Sequence, residues 1–179
     1  IQLDKLNQTV ITCKNLYNKC LEEKINHYKD TGENISPTKQ MKNIDRFGVD
    51  TSVVHSQVIQ QVIWRLENSF VNFYRRCKSG DKPGFPRFKS VDRYNSFLYP
   101  QAGFKILPDN KHLKLSKIGS VKIKLHRNFI GNIKNLLVKR DGLGRWYACF
   151  VVDDGLTVEP VIIKNKIGID LGCINFVTT

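Results

Sequence analysis

The apolar residues of this chain change their period part-way along, and that change constrains the fold more tightly than any other feature. Leu3, Leu6, Val10, Cys13, Tyr17 and Cys20 recur in alternating steps of three and four, continued by Leu21, Ile25 and Tyr28. That spacing lays one stripe along a helix. Thr31-Gly32 ends it, because glycine accepts the left-handed conformation that follows a last helical turn. Ser36-Pro37 opens a short helix with proline at its first position. A second long helix is predicted from about Ser52 to Lys78, on a stripe of Ile59, Ile63, Leu66, Phe70, Phe73 and Cys77, with Ser79-Gly80 as its stop. Two long amphipathic helices and a shorter one predict a helical bundle over residues 1–80.

From Lys111 the period is two. Leu113 and Leu115 alternate with Lys114, and Val121, Ile123 and Leu125 alternate with Lys122, Lys124 and His126. Residues 133–140 and 145–152 flank Asp141-Gly142-Leu143-Gly144, a hairpin signal. These segments predict a small antiparallel β-barrel or curled sheet, with Lys122, Lys124 and Arg127 on a basic face; together with a basic, aromatic loop region reaching to Lys105 ahead of it, it makes up residues 81–160. The chain is therefore expected to be α+β. Asp153-Asp154-Gly155 reads as a strand end or linker and not as a paired-carboxylate site.

A third piece, residues 161–179, holds an apolar run of Val161, Ile162, Ile163, Ile167 and Ile169 that reads as a buried strand. It carries one carboxylate, Asp170, with Gly168 and Gly172 two residues away on either side. A carboxylate is costly to bury unless it is paired or binds a metal, and flanking glycines let a ligand or metal approach the backbone. Asp170 is thus the candidate catalytic residue and metal ligand. A strand end running into a turn is the plainer alternative.

Charge points to a partner. Lys and Arg number 29 against 16 acids, a formal +13. Such an excess favours a polyanion, nucleic acid first. An anionic membrane surface is the rival, but no basic amphipathic anchor stands out. The five cysteines, Cys13, Cys20, Cys77, Cys149 and Cys173, are scattered with no Cys-x-x-Cys pair, which argues against a zinc site or disulfide framework. With no apolar run long enough to span a bilayer and no signal-peptide pattern, a cytoplasmic protein without a membrane partner is expected. The sequence sets no oligomeric state.

Arg75, Arg76, Lys78, Lys82, Arg87, Lys89, Arg93 and Lys105 interleave with Phe85, Phe88, Tyr94, Phe97, Tyr99 and Phe104. Cations neutralise phosphates, and aromatic faces stack on unpaired bases. The phenylalanines are expected in the core, whereas Tyr99 and Gln101, beside Pro100 in an expected loop, are read as contacts. Ser56, Gln57, Gln60 and Gln61 cluster on the second helix. Glutamine amides both donate and accept, as reading a base edge requires; a merely solvated face is the alternative.

Taken together and in order, several stretches resemble one family. They are Cys13 to Lys19, Ser56 to Gln61, Lys82-Pro83-Gly84-Phe85-Pro86-Arg87-Phe88-Lys89-Ser90, Tyr99-Pro100-Gln101, Gly103 to Ile106, Lys117-Ile118-Gly119 and Gly168-Ile169-Asp170-Leu171-Gly172. The chain is similar over nearly its whole length to the N-terminal half of TnpB (OrfB) proteins of insertion sequences, relatives of the small type V CRISPR effectors.

The resemblance implies an RNA-guided DNA endonuclease. Its parts would be a helical recognition domain, an OB-like wedge barrel, and a RuvC nuclease domain of RNase H-like fold beginning at residues 161–179. Its partners would be a guide RNA derived from the transposon end and a target duplex with a short adjacent motif. Asp170 would be the first RuvC carboxylate, with Mg²⁺ as cofactor of the full-length parent. Gln57, Gln60 and the Tyr99-Pro100-Gln101 loop would lie near the target-adjacent duplex, and the barrel's Lys and Arg would face guide-RNA backbone.

The family's first wedge strand, ahead of the first helix, has no counterpart here, so an open barrel is anticipated. Two-metal hydrolysis needs several carboxylates around a metal pair about 4 Å apart. One aspartate does not supply them, so the chain as given is expected to bind nucleic acid without cleaving it and to need no cofactor. Two other readings stand beside this one. A non-catalytic nucleic-acid-binding transposase accessory or regulator fits the same charge. The actin/Hsp70-type ATPases share Gly-Ile-Asp-Leu-Gly, but they place it at the start of a domain.

Overall fold

The computed structural model describes residues 1–156, and the strand reading around Asp170 lies outside them. The first stripe becomes helix α1, Gln2–Thr31. Gly32 caps it at φ 73°, its N–H donating to the Tyr28 carbonyl. Leu6, Val10, Cys13, Leu16, Tyr17, Cys20 and Leu21 are buried, while Leu3 and Tyr28 at the two ends are exposed. The stripe outruns the core it packs on.

Helix α2, Pro37–Lys42, starts as expected: the Ser36 hydroxyl accepts the Lys39 N–H and proline follows it. A 3₁₀ turn, Ile44–Phe47, follows. Helix α3 runs Ser56–Lys78, four residues later than the pattern suggested. Asp50 accepts both the N–H and the hydroxyl of Ser52, and Val54 N–H donates to the Thr51 carbonyl. Those local bonds hold the segment in turns that compete with helix. Phe73 is half-buried and Cys77 exposed, so this stripe also runs past its core.

Two devices fasten the helices. The buried Gln40 amide donates to the Cys20 carbonyl and to Glu23, tying α2 to α1. Lys24 on α1, 8% exposed, donates to Glu67 on α3 at 2.7 Å and to the Ile35 carbonyl at 2.9 Å.

Six strands follow: β1 Ser96–Tyr99, β2 Phe104–Ile106, β3 His112–Leu115, β4 Gly119–Lys122, β5 Asn132–Arg140 and β6 Trp146–Asp153. They form two antiparallel three-stranded sheets, β1-β5-β6 and β2-β3-β4. The described residues thus give two open sheets and not a closed barrel. The β5–β6 hairpin pairs Arg140 with Trp146 and closes over the predicted turn. Asp141 organises that turn, accepting the N–H groups of Leu143 and Arg145. β4 stops at Lys122, short of the expected Leu125.

Strands β1 and β2 lie where a loop was expected. Alternation on β1 buries Phe97 and Tyr99. The Tyr99 hydroxyl donates to the Ser116 carbonyl at 2.9 Å, and its ring lies 6.1 Å from that of Phe104. Tyr99 therefore joins the two sheets. One hydrophobic cluster runs from α1 and α3 through Tyr94, Phe97 and Tyr99 to Leu113, Leu115, Leu136 and Val138. Helices and sheets share a single core.

Candidate nucleic-acid interface

The residues from Asp81 to Val91 form no strand or helix. Pro83 and Pro86 lack the N–H a ladder needs, and Gly80 and Gly84 cost entropy in any regular element. The segment is held instead by one side chain. Asn18 on α1 donates to the Lys89 carbonyl at 3.0 Å and accepts the Lys89 N–H at 2.8 Å, making a two-way clasp with the backbone. Pro86 is buried beneath it.

This clasp lays Gly84–Lys89 alongside the C-terminal half of α3 and leaves a cleft of about 450 Å³. Its walls carry Arg76, Arg87, Lys89 and Arg93, its floor Ser69 and Asn72, and its rim Phe85 and Phe88. None of the four cations is in an ion pair with a carboxylate among the described residues. The Arg76 Nε is buried without a hydrogen-bond partner among the described residues. A buried guanidinium donor without an acceptor is costly, and an incoming oxyanion would satisfy it. Ser69 and Asn72 also line a smaller cleft of about 240 Å³ with Gln61 and Asn68, so polar groups continue along α3. Arg65, by contrast, is committed to the fold: it donates to the Ser96 carbonyl and hydroxyl and lies 5.1 Å over the Tyr94 ring.

Of the aromatic readings, Phe97 is in the core as expected and Phe104 packs against it, while three others are reversed. Phe85 and Phe88, expected in the core, are 49% and 54% exposed. Phe85 is braced edge-on by Phe70 and Phe73 at 5.6 and 5.4 Å between ring centres. Tyr99, expected as a contact, is 1% exposed and faces no surface. Irregular backbone lets an aromatic turn outward, whereas strand alternation turned Tyr99 inward.

Ser56, Gln57 and Gln60 lie at the other end of α3. Arg76 is twenty residues further along, a distance of about 30 Å at helical rise. Ser56 and Gln60 are exposed; Gln57 is half-buried and its side-chain oxygen accepts the Ala102 N–H at 3.3 Å. Gln57 and the exposed Gln101 are therefore neighbours. The close fit depends on Gly103, at φ 90°, where a Cβ would come within 3.0 Å of the His55 and Tyr99 rings.

A second basic surface is the outer face of β2-β3-β4. Lys105 stands opposite Lys114, and Lys122 opposite His112. Lys105, Lys114, Lys122, Lys124 and Arg127 are exposed. The opposed Lys105 and Lys114 are like charges, unfavourable in an isolated sheet and relieved by a polyanion. Arg75 and Lys82 are exposed outside the cleft lining. Asp170 lies outside the described residues, among which no three His, Cys, Asp or Glu side chains converge as a metal site. No helix among these residues is long and apolar enough to cross a membrane.

Sequence reasoning found the cations of the cleft but missed its floor. Ser69 and Asn72 fall three residues apart on α3 and share a face with Arg65 and Arg76, a spacing that could have flagged them.

No family model matches the chain. Among curated proteins, it is 29% identical over 123 residues to "Putative RNA-guided DNA endonuclease InsQ" of Escherichia coli (strain K12), covering 69% of this chain and 29% of the relative. It is 25% identical over 186 aligned residues to "Putative RNA-guided DNA endonuclease" of Streptomyces pristinaespiralis, covering 99% of this chain and 44% of the relative. The chain thus spans less than half the length of either.

Proposed function

From the relationship of this chain to the TnpB/OrfB-type proteins of insertion sequences, we propose that it is the nucleic-acid-binding portion of an RNA-guided DNA endonuclease. The observation that carries the reading is the α3 cleft, where four cations without carboxylate partners among the described residues and two exposed aromatic rings surround one polar floor. The β2-β3-β4 face offers a second surface suited to phosphate backbone, and the Gln57/Gln60/Gln101 cluster is suited to reading base edges of a duplex. The two sheets would play the part of an open wedge and the helices that of the recognition domain. The guide would come from RNA of the transposon end, and the target would be duplex DNA with a short adjacent motif. Residues 161–179 would begin the RuvC domain.

In this reading Asp170 belongs to the cleaving part of a longer protein, whose Mg²⁺ would supply the activated water and charge neutralisation. This chain's described residues bind and orient. In a longer chain that holds the remaining carboxylates, Asp170→Ala is expected to abolish DNA cleavage and leave RNA and DNA binding nearly unchanged. Loss of binding would make Asp170 structural.

The direct test is binding of the chain to RNA from the end of its own element, to duplex DNA and to an unrelated RNA of equal length, across a salt series. Affinity from phosphate neutralisation alone falls steeply with salt and ignores sequence. Preference for the cognate RNA that survives at higher salt is the expected result. Equal, salt-sensitive binding to all three would reduce the chain to a generic basic module. The triple substitution Arg76→Ala, Arg87→Ala, Lys89→Ala should lower the salt slope by about 2 on a single strand. An unchanged slope would remove the cleft from the interface.

A further inference from the structure

The cleft has a feature that phosphate binding does not require. A cation-lined groove alone neutralises a duplex or a single strand equally well. Here the rim carries two phenylalanine rings about half exposed, which is an unfavourable place for apolar surface unless something covers it. Phe85 cannot fold away, because Phe70 and Phe73 brace it edge-on and leave its remaining surface outward. Phe88 sits on the ridge between the cation-lined cleft and a second one of about 390 Å³ that holds Asn15, Asn18 and Lys19. The clasp of Asn18 on Lys89 fixes the backbone beside that ring. Below the rim, Ser69 and Asn72 present hydroxyl and amide groups. Arg76 has a buried Nε that lacks an acceptor among the described residues.

We infer that this cleft holds unpaired nucleotides: bases stack on Phe88 and Phe85 while the adjoining phosphates meet Arg76, Arg87, Lys89 and Arg93. The inference rests on the nucleic-acid reading above and narrows it, assigning the C-terminal end of α3 to single strand. A base paired within a duplex presents only its edge and cannot lie against a ring, so the rim discriminates by strandedness and tolerates sequence. The Ser69 hydroxyl and the Asn72 amide nitrogen already donate to the Arg65 and Asn68 carbonyls, each at 2.9 Å, so what they offer a base edge is their oxygens as acceptors. The glutamine cluster in the first turns of the same helix remains available to a duplex.

The test uses the whole chain and three probes: a single-stranded RNA oligomer carrying 2-aminopurine, the same length containing abasic positions, and a duplex. Phe88→Ala is the chosen variant because its ring is exposed and its loss should not unfold the protein. Thermal melts of each variant check that. Phe88→Ala is expected to weaken the single strand roughly tenfold and to leave the duplex within about twofold. The aminopurine fluorescence quenched on binding should be restored. Phe88→Trp should keep both affinity and quenching. For the abasic strand, the native chain and Phe88→Ala should bind alike. Equal loss for single strand and duplex, or no loss with either, overturns the stacking assignment. If Arg76→Ala and Arg87→Ala also leave every probe unaffected, the nucleic-acid reading of the cleft falls with it. If those two weaken binding while Phe88→Ala does not, only the stacking inference fails.

Discussion

Two neighbouring stretches of this chain have similar composition and opposite fates. Residues 82–89 and residues 93–99 are both rich in aromatic rings, although the first holds Lys82, Arg87 and Lys89 and the second only Arg93 as cations. In the first, Phe85 and Phe88 point outward over a cleft; in the second, Tyr94, Phe97 and Tyr99 are buried in the common core. The difference lies in the backbone. Pro83, Pro86 and the adjacent glycines deny the first stretch a ladder, whereas the second enters β1 and pairs with β5 from Ser96↔Lys139 to Tyr99↔Leu136. Composition proposes an aromatic platform; hydrogen-bonded alternation decides whether it faces a ligand or the interior.

The contrast can be broken hardest at Tyr99. Tyr99→Ala removes the ring that joins the two sheets and should cost about 4 kcal/mol of stability, the scale of a large aromatic truncated in a core. Denaturant unfolding measures it, and a loss below about 1 kcal/mol would put Tyr99 back on the surface.

The same inside-outside contrast is readable in the thiols. Burial pushes Cys13 and Cys20 up to about 12, while Cys77 and Cys149 are exposed. At pH 8 alkylation mapped by mass spectrometry should mark Cys77 and Cys149 and spare Cys13 and Cys20 until the chain unfolds. Because folding raises these two pKa values from 9.0, the folded state keeps protons that the unfolded chain releases. The stabilisation is complete below pH 9 and is lost as pH climbs from 9 towards 12, by on the order of 1 kcal/mol per thiol per pH unit.

A smaller change sharpens the comparison from the exposed side. Asn18→Ala should cost about 1–2 kcal/mol, since it removes two hydrogen bonds to the Lys89 backbone. It should also weaken single-strand binding without touching a cleft cation. Smallest of the set, Tyr99→Phe leaves the Ser116 carbonyl without its donor and should cost about 1 kcal/mol, with nucleic-acid affinity unchanged. A binding defect there would show that Tyr99 reaches ligand after all.

Much of the helical half was legible because its signals are local. The stripes on α1 and α3, the Gly32 stop and the Ser36-Pro37 start depend on residues within a turn of one another. The β5–β6 hairpin was legible for the same reason, through Asp141 and its glycines. What could not be read is what depends on distant partners. β1 is a strand because β5, some forty residues later, pairs with it, and nothing in Ser96–Tyr99 alone announces that. The floor of the cleft was missed because Ser69 and Asn72 look like an ordinary polar helix face until residues 84–89 are laid across them. The charge pattern did locate Arg76, Arg87 and Lys89, which the fold then gathered.

The Asn18 clasp has a kinetic meaning. It joins positions 71 residues apart, so the cleft cannot exist in any partly folded chain where α1 and α3 have not yet met. Local helices form within microseconds, but closing so long a loop waits on their docking. The binding surface is therefore complete only once these helices have docked. A ligand seated there is also an ally of the finished fold: by mass action it draws the population towards molecules whose helices are already paired.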